Sequence, residues 1–256
     1  MGQWRNTSDF PLNENRSFLY GDGFFESMRW APDGTCKLWN LHWDRLQRTI
    51  HALKYPWPGA LGQAEFRALL LEKFPKNSDN NLRVKIIFWR QGPGKYAPET
   101  SQLAFLLSIE SYPFPWVQTI ESLGVAKTVC ITKHPFSWIK STSALTYVMA
   151  SIEREERKLD DLILPDANGY LIEGSYACLF WGKGDKIYLT DHNLGGLDSC
   201  MRRFLENYWR AMKIPFEAVK ATFSDLENVD WIGFGSGMGL RIKVFKEMPH
   251  PDVLPF

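Results

Sequence analysis

The segment "SWIKSTSALTYVMASIEREERKLDD", residues 137–161, poses the central question of this chain. Its second half predicts an amphipathic helix, because apolar residues recur at helical spacing among charged ones. These apolar residues are Leu145, Val148, Met149, Ile152 and Leu159. In the first half, Lys140 stands just ahead of a Ser/Thr cluster that is typical of a helix cap. Helix starts favour acidic side chains because the macrodipole is positive there, so a lysine beside Trp138 and Ile139 needs an explanation.

Two interpretations of Lys140 follow from general chemistry. Most lysines are solvated surface charges. A lysine in an apolar pocket instead loses hydration, so its pKa falls and its neutral amine can attack a carbonyl group. Enzymes that use pyridoxal 5'-phosphate (PLP) need such a lysine and a carboxylate facing the pyridine nitrogen. They also need backbone amides and an arginine for the phosphate.

The composition excludes several classes of protein. The chain has 256 residues, 45% of them hydrophobic, and a net charge of +1, which argues against a dedicated nucleic-acid or membrane-surface protein. No apolar run is long enough to span a bilayer. The four cysteines include no CxxC pair, which predicts reduced thiols in the cytoplasm and no metal site. They are Cys36, Cys130, Cys178 and Cys200.

Hydrophobic patterning predicts an α+β chain in two parts. Strands are expected at "FFESMRW", "TCKLWNL", "NLRVKIIFWR" and "QLAFLLSIE", and helices at "HWDRLQRTIHAL" and "GQAEFRALLLEKF". The stretch "SYPFPWVQ" has two prolines and predicts a boundary. We therefore expect a smaller N-terminal domain at 1–112, a linker at 113–118 and a larger C-terminal domain at 119–256. The second part opens with an expected strand, "GVAKTVCIT".

Five motifs carry a family resemblance. "YGDGFFESMR", "LHWDRL", "WIKS", "LIEGSYACLFW" and "SCMRRFL", taken in this order, resemble the class IV aminotransferase family, the fold-type IV PLP enzymes. The likeness runs from about residue 18 to residue 245. It implies a two-domain α+β fold like that of D-amino acid aminotransferase, with mixed sheets and flanking helices. It also implies PLP bound between the domains, a homodimer and a small-molecule amino substrate.

The resemblance assigns roles to three charged residues. Lys140 matches the Schiff-base lysine, and Glu173 in "LIEG" matches the carboxylate partner of the pyridine nitrogen. Arg45 in "HWDRL" matches the arginine that contacts the phosphate. Each has a plainer interpretation, a strand-end surface acid for Glu173 and a solvated helix residue for Arg45.

Two segments match the parts of the family that bind the cofactor phosphate. One is a helix start and the other is rich in glycine. In "DSCMRRF", the backbone N–H groups of Cys200 and Met201 would hold the phosphate, although the same stretch also reads as an ordinary helix N-cap. In "GFGSGMG", Ser236 and Gly237 match a second phosphate-side loop.

The substrate side is matched by Arg29, Glu26 and Tyr96. The plainer interpretation of Arg29 is an arginine on the surface at the end of a strand. The chain departs from the family where an asparagine is usual and Cys178 stands, and where some members carry a tyrosine and Leu145 stands. These departures concern the details of the pocket, and hence the substrate.

Within the family, the pattern is closest to the 4-amino-4-deoxychorismate lyases, which eliminate pyruvate to give 4-aminobenzoate, a folate precursor. The segments "DDLILPDANGYLIEG" and "SCMRRF" and the loop "RQGPGKY" favour this reaction, whereas Glu26 is typical of transaminases. A branched-chain or D-amino acid transaminase is the alternative. A non-catalytic binding protein of the same fold is a third possibility.

Overall fold

The chain forms two compact units. The structure is a computed structural model that describes residues 12–57, 61–75, 79–99, 102–246 and 251–254. The first unit holds the residues up to Phe114 together with Ile139–Ser143, and the second holds Pro115–Trp138 and the residues from Ala144 onward. The division into domains 1–112 and 119–256 stays a prediction.

Five α-helices and twelve β-strands lie within the described ranges, which confirms the α+β prediction. The helices are α1 (Arg16–Tyr20), α2 (Trp39–Ala52), α3 (Gln63–Glu72), α4 (Leu145–Glu156) and α5 (Cys200–Met212). The first six strands are β1 (Gly23–Trp30), β2 (Leu82–Gln91), β3 (Gln102–Ser111), β4 (Val117–Thr119), β5 (Leu123–Val125) and β6 (Asp161–Pro165). The others are β7 (Leu171–Gly174), β8 (Cys178–Lys183), β9 (Lys186–Thr190), β10 (Phe216–Val219), β11 (Trp231–Ser236) and β12 (Gly239–Val244).

A three-stranded antiparallel sheet, in the order β1–β2–β3, forms the centre of the first unit. Along β2, the buried residues Val84, Ile86 and Phe88 alternate with more exposed ones, as the period of a half-buried strand requires. Aromatic rings from α2 and α3 pack against the sheet, so several of the tryptophans contribute to the packing of this unit. The rings in contact are Trp30, Trp39, Trp43, Trp57, Phe66, Phe74 and Phe88.

The segment Ile139–Ser143 pairs with the edge of this sheet. The N–H of Phe25 donates to the carbonyl of Lys140 over 2.9 Å, and the N–H of Thr142 donates to the carbonyl of Gly23 over 2.9 Å. Phe24 and Ser141 are antiparallel partners. An edge strand offers unpaired backbone groups, and here they bind the segment that carries the lysine.

A nine-stranded mixed sheet forms the centre of the second unit. Its main path runs β4–β12–β11–β8–β7–β6–β5, while β9 pairs with β8 and β10 pairs with β9. Leu162 and Leu164 of β6 belong to an apolar cluster with Ala150 of α4, whereas Ile163 belongs to a second cluster. Because neighbouring strand residues face opposite ways, the two clusters lie on opposite faces, and α4 covers one of them.

Two predicted strands are wrong. The residues "APDG" form a turn after β1, but "TCKLWNL" leads into α2, which begins at Trp39. The ring of Trp39 stacks on Trp43 and Phe66, so helical spacing packs it against neighbouring rings. Of "GVAKTVCIT", just Gly124 and Val125 belong to β5. Beyond them the Glu153 carboxylate accepts from the N–H groups of Lys127 and Thr128, which therefore are not available to a sheet ladder.

The helix predicted after Lys140 is present as α4, but the Ser/Thr cluster does not cap it. The N-cap is Ala144, which makes no side-chain cap hydrogen bond. The hydroxyls of Thr142 and Ser143 donate instead to the carbonyl of Gly21, over 3.1 and 3.3 Å. Among the described residues, no helix combines the length and apolar character that crossing a membrane requires.

Candidate active site

Lys140 is half-buried in the first unit, and its amine lies against an aromatic ring. Its Nζ is 4.6 Å from the centroid of the Phe25 ring. The preceding residue, Ile139, is buried, and the backbone of Lys140 is bonded to β1. Ile139 thus anchors the segment in the unit, and the amine lies against the Phe25 ring.

Arg45 and Glu26, which the sequence assigned to different roles, form one buried ion pair in the first unit. The Nε and Nη2 atoms of Arg45 donate to the two carboxylate oxygens of Glu26 over 2.8 and 2.5 Å, and the Nδ1 of His42 lies 2.7 Å from Oε2. Burial raises the pKa of Glu26, but the charge of Arg45 and the hydrogen bonds of His42 and Arg45 outweigh it and lower this pKa to about 2. Glu26 is therefore ionised and holds the guanidinium in place.

The other two residues predicted to lie on the substrate side are placed very differently from each other. Arg29 is buried, and its Nη2 donates to the carbonyl of Phe114 over 2.6 Å. Tyr96 is 90% exposed, and its ring lies 5.8 Å from that of Tyr20. Buried Arg16 fixes the loop around Tyr96 by donating to its carbonyl over 3.0 Å.

A β-bulge directs Glu173 in the second unit. Glu173 pairs with Leu164, but Leu171 pairs with Pro165, so Ile172 is an extra residue between the two pairs. Opposed residues of antiparallel strands share a face, and Leu164 belongs to the cluster that α4 covers. The bulge therefore turns Glu173 toward the α4 side, which is how bulges re-aim side chains beside functional sites.

Glu173 is 4% exposed, and two neutral groups donate to its carboxylate. The hydroxyl of Tyr147 donates to Oε1 over 2.6 Å, and the backbone N–H of Leu197 donates to Oε2 over 3.1 Å. Burial, together with the charge of Glu173 and this hydrogen bond, raises the pKa of Tyr147 well above its usual value. The tyrosine therefore stays protonated and acts as the donor.

Helix α5 begins at the residues predicted to hold a phosphate. Ser199 is its N-cap and accepts from the N–H of Arg202, so the plain N-cap interpretation of this residue is correct. Cys200 and Met201 follow in the first turn, where backbone N–H groups have no intrahelical acceptor and the helix dipole is positive. A capped helix start and an anion site are compatible, because the cap satisfies one amide of the first turn.

Arg202 fastens α5 to the sheet on the same side as Glu173. Its Nε donates to Glu206 over 2.8 Å, and its Nη1 donates to the Thr190 hydroxyl over 3.4 Å. Burial raises the pKa of Glu206, but the hydrogen bonds and charges of His192 and Arg202 outweigh it and lower this pKa to about 2. A narrow cavity here is lined by both Arg202 and Glu173.

The predicted second phosphate loop is a tight hairpin. Ser236 ends β11 and pairs with Gly239 of β12, so Gly237 lies at the turn, and the Ser236 hydroxyl accepts from the N–H of Met238 over 3.2 Å. The strand β12 was not predicted. Cys178, the departure from the family pattern, is buried beside Glu173 in the β7–β8 ladder, and burial raises the pKa of its thiol to about 11.

Tyr147 was missed at the sequence level. Family comparison directed attention to Leu145, five residues after the lysine, but this residue is 72% exposed. Tyr147 and Ala150 lie three positions apart on α4 and both contact the apolar cluster of the second unit. This helical spacing could have predicted that Tyr147 lies on the face of α4 that packs on the apolar cluster.

Each unit, taken by itself, contains side chains whose chemistry suits one part of PLP. Glu173 is a buried carboxylate that accepts from two neutral donors, and a carboxylate is the group that a protonated ring nitrogen would face. Arg45 is a buried cation held rigidly by Glu26, and the first turn of α5 offers amides to an anion. The half-buried Lys140 supplies an amine.

Comparison with curated proteins finds relatives of two named kinds. Over 228 residues the chain is 25% identical to an aminodeoxychorismate lyase of Vibrio harveyi, covering 86% of this chain and 80% of that protein. Over 184 residues it is 25% identical to a putative branched-chain-amino-acid aminotransferase of Methanocaldococcus jannaschii, covering 70% of this chain and 60% of that protein.

Solved structures with the same fold include enzymes of this group. A putative 4-amino-4-deoxychorismate lyase of Legionella pneumophila superposes with a TM-score of 0.82 at 19% identity, covering 97% of this chain and 92% of that one. A PLP-bound aminotransferase of Brucella abortus superposes with a TM-score of 0.75 at 17% identity, covering 94% of this chain and 86% of that one. These likenesses confirm the predicted fold-type IV architecture.

The family model for amino-transferase class IV matches residues 23–242. This range contains the lysine segment, the bulged strand with Glu173 and the start of α5. The chain therefore belongs to the class IV aminotransferase family, whose cofactor is PLP.

Proposed function

We propose that this chain is a lyase that eliminates pyruvate from 4-amino-4-deoxychorismate and leaves 4-aminobenzoate. The observation that carries this choice of reaction is the similarity to the Vibrio harveyi aminodeoxychorismate lyase along 86% of the chain. The buried, bulge-directed Glu173 and the half-buried amine of Lys140 support PLP chemistry in general.

Each residue that we assign to the cofactor site has a defined task in this proposal. When bound, PLP supplies a cationic ring that stabilises negative charge on the substrate. Lys140 would hold the cofactor at its aldehyde, and its amine would move a proton at the substrate carbon. Glu173 keeps the ring nitrogen protonated. Arg45 and the first turn of α5, with Cys200 and Met201, hold the phosphate.

The remaining assignments stay predictions. Ser236 and Gly237 form the second phosphate-side turn. Arg29, Glu26 and Tyr96 act on the substrate side. For Glu26 we add a task that its ion pair supports, because a carboxylate bonded to both Nε and Nη2 orients the guanidinium of Arg45.

The reaction is tested with purified protein, chorismate, glutamine and the amidotransferase that aminates chorismate. We expect 4-aminobenzoate and pyruvate as products, and no 4-aminobenzoate from Lys140→Ala. The matched control is Lys133→Ala, an exposed lysine seven positions earlier, which should keep full activity. The same samples should show a visible PLP absorption band that borohydride converts into a label on Lys140.

The alternative reaction is decided by the same samples. The relative named as a branched-chain-amino-acid aminotransferase favours a transaminase, which converts amino acids to keto acids. Keto acid production without 4-aminobenzoate would contradict the lyase proposal and leave the cofactor role of Lys140 intact. A colourless protein that takes up no PLP would contradict both and favour a non-catalytic binding protein.

We also propose a homodimer, which an apolar stripe on α4 supports. Its members are exposed and recur at i, i+3, i+4 and i+7, whereas the opposite side of α4 packs on the sheet. A helix that is apolar on both sides is usually buried, so a second copy of the chain is the partner that the family resemblance implies. The stripe consists of Leu145, Val148, Met149 and Ile152.

The assembly is tested by sedimentation of the wild type and the double variant Val148→Glu/Ile152→Glu. We expect a dimer for the wild type and a monomer for the variant, because two carboxylates on the stripe would have to be desolvated. Met212→Glu changes an exposed apolar residue at the end of α5 and should remain dimeric. A monomeric wild type, or a double variant that still dimerises through another surface, would contradict the assignment of the stripe.

A cytoplasmic location is the last part of the proposal. No disulfide joins any of the four cysteines, all of which lie in the described ranges. Reduced thiols are the rule in the cytosol.

A further inference from the structure

The carboxylate of Glu173 is held at both oxygens, and one of the donors is a side chain on a different element. Tyr147 of α4 donates to Oε1, and the backbone N–H of Leu197 donates to Oε2. The ring of Tyr147 packs against the apolar cluster that includes Ala150 and Leu162. The phenol is therefore fixed by packing, and its hydroxyl is fixed by the carboxylate.

We propose that Tyr147 is a positioning residue that holds Glu173 in the orientation and charged state needed at the pyridine nitrogen of PLP. This inference rests on the proposed cofactor role of Glu173. It gives Tyr147 a task that the five family motifs do not assign.

The geometry explains why such a residue is needed. The bulge at Ile172 decides which face Glu173 occupies, but a glutamate side chain still has several rotamers on that face. The hydroxyl selects one rotamer, and donation to the carboxylate favours its ionised form. A carboxylate has an acceptor capacity of about four lone pairs, so accepting from Tyr147 does not by itself exclude a ring N–H.

The experiment compares two ligands on the apoprotein: PLP, and the PLP analogue with carbon in place of the ring nitrogen. The wild type should bind PLP more tightly than the analogue, because the analogue has no N–H for Glu173. Tyr147→Phe keeps the ring and removes the hydroxyl. It should reduce the preference for PLP about tenfold, the effect of one hydrogen bond to a charged group, and leave affinity for the analogue unchanged.

Two further variants separate positioning from packing. Tyr170→Phe removes a hydroxyl from another tyrosine that packs against the same cluster and should keep the full preference for PLP. Glu173→Gln should lose the preference by itself, and adding Tyr147→Phe to it should then change little. This non-additivity is the signature of two residues acting as one unit.

Each outcome has a defined meaning. A wild type that binds no PLP overturns the proposed function. A wild type that prefers PLP, together with a Tyr147→Phe protein that keeps the whole preference, overturns just the positioning role. If Tyr147→Phe weakens the binding of PLP and of the analogue equally, the positioning role is overturned too. Unfolding of the Tyr147→Phe apoprotein, when Tyr170→Phe folds normally, would show a structural role and would likewise overturn the proposal.

Discussion

At the scale of single residues, the ion pair of Glu26 and Arg45 shows how burial turns a charge into a stability determinant. The pKa of Glu26 is about 2 in the folded protein against an ordinary value of 4.5. A carboxylate whose folded pKa is lowered contributes stability that is complete above the ordinary value and is lost as the pH falls from about 4.5 to about 2. The pair is therefore expected to weaken in acid.

We predict that Glu26→Gln lowers the free energy of unfolding at neutral pH by about 3 kcal/mol, because it removes the carboxylate that pairs with the buried Arg45. The variant should also lose less stability than the wild type between neutral pH and acid. Urea unfolding at several pH values measures both effects. The control is Glu110→Gln, since Glu110 forms an exposed pair with Arg83 at 3.7 Å and should cost at most about 1 kcal/mol. Equal costs for the two variants would contradict the prediction.

At the scale of the secondary-structure elements, β7 carries Glu173 and must lie close to an aromatic ring. A Cβ at Gly174 would come within 2.5 Å of Cδ1 and 2.9 Å of Cε1 of Phe234, a buried residue. Position 174 therefore requires glycine, because the backbone of β7 lies so close to the ring of Phe234 in β11. The neighbouring bulge adds a second local requirement on the same short strand.

We predict that Gly174→Ala lowers the free energy of unfolding by about 1–3 kcal/mol, the usual cost of overpacking a core. Chemical denaturation measures the change. The double variant Gly174→Ala/Phe234→Leu should cost less than the sum of its two single changes, because the smaller side chain makes room for the added methyl group. Strict additivity would indicate that some other contact limits the site.

At the scale of the whole molecule, cofactor binding should appear as stability. A ligand that binds the folded chain but not the unfolded chain stabilises the fold. The gain is about 2.7 kcal/mol at a free ligand concentration of about 100 times Kd. The proposed phosphate site includes the first turn of α5, and the proposed ring partner is Glu173.

We predict that PLP raises the Tm of the apoprotein and that pyridoxal, which lacks the phosphate, raises it less at the same concentration. Differential scanning fluorimetry of the wild type provides the measurement. Lys140→Ala should retain part of the rise, because the phosphate and ring contacts do not depend on the covalent bond. Identical shifts for the two ligands would contradict a phosphate site.

Much of the fold could be predicted because the patterns are local. The helix after Lys140, the helix "HWDRLQRTIHAL" and the strands "NLRVKIIFWR" and "QLAFLLSIE" follow from periodicity, and the structure contains them all. The errors arose where tertiary contacts overrode local preference. Ring stacking extended α2 back to Trp39, and the Glu153 carboxylate took the backbone donors of Lys127 and Thr128.

The sequence by itself determined the family, because five motifs in a fixed order identify a class IV aminotransferase without any coordinates. It also identified Lys140 and Glu173 as the residues to examine. Only the tertiary structure decided that Glu26 binds Arg45 and that Tyr147 binds Glu173. The physical reason is that a motif records residue types along the chain, whereas a hydrogen bond between distant residues depends on the strand bulge and helix packing that bring the two groups together.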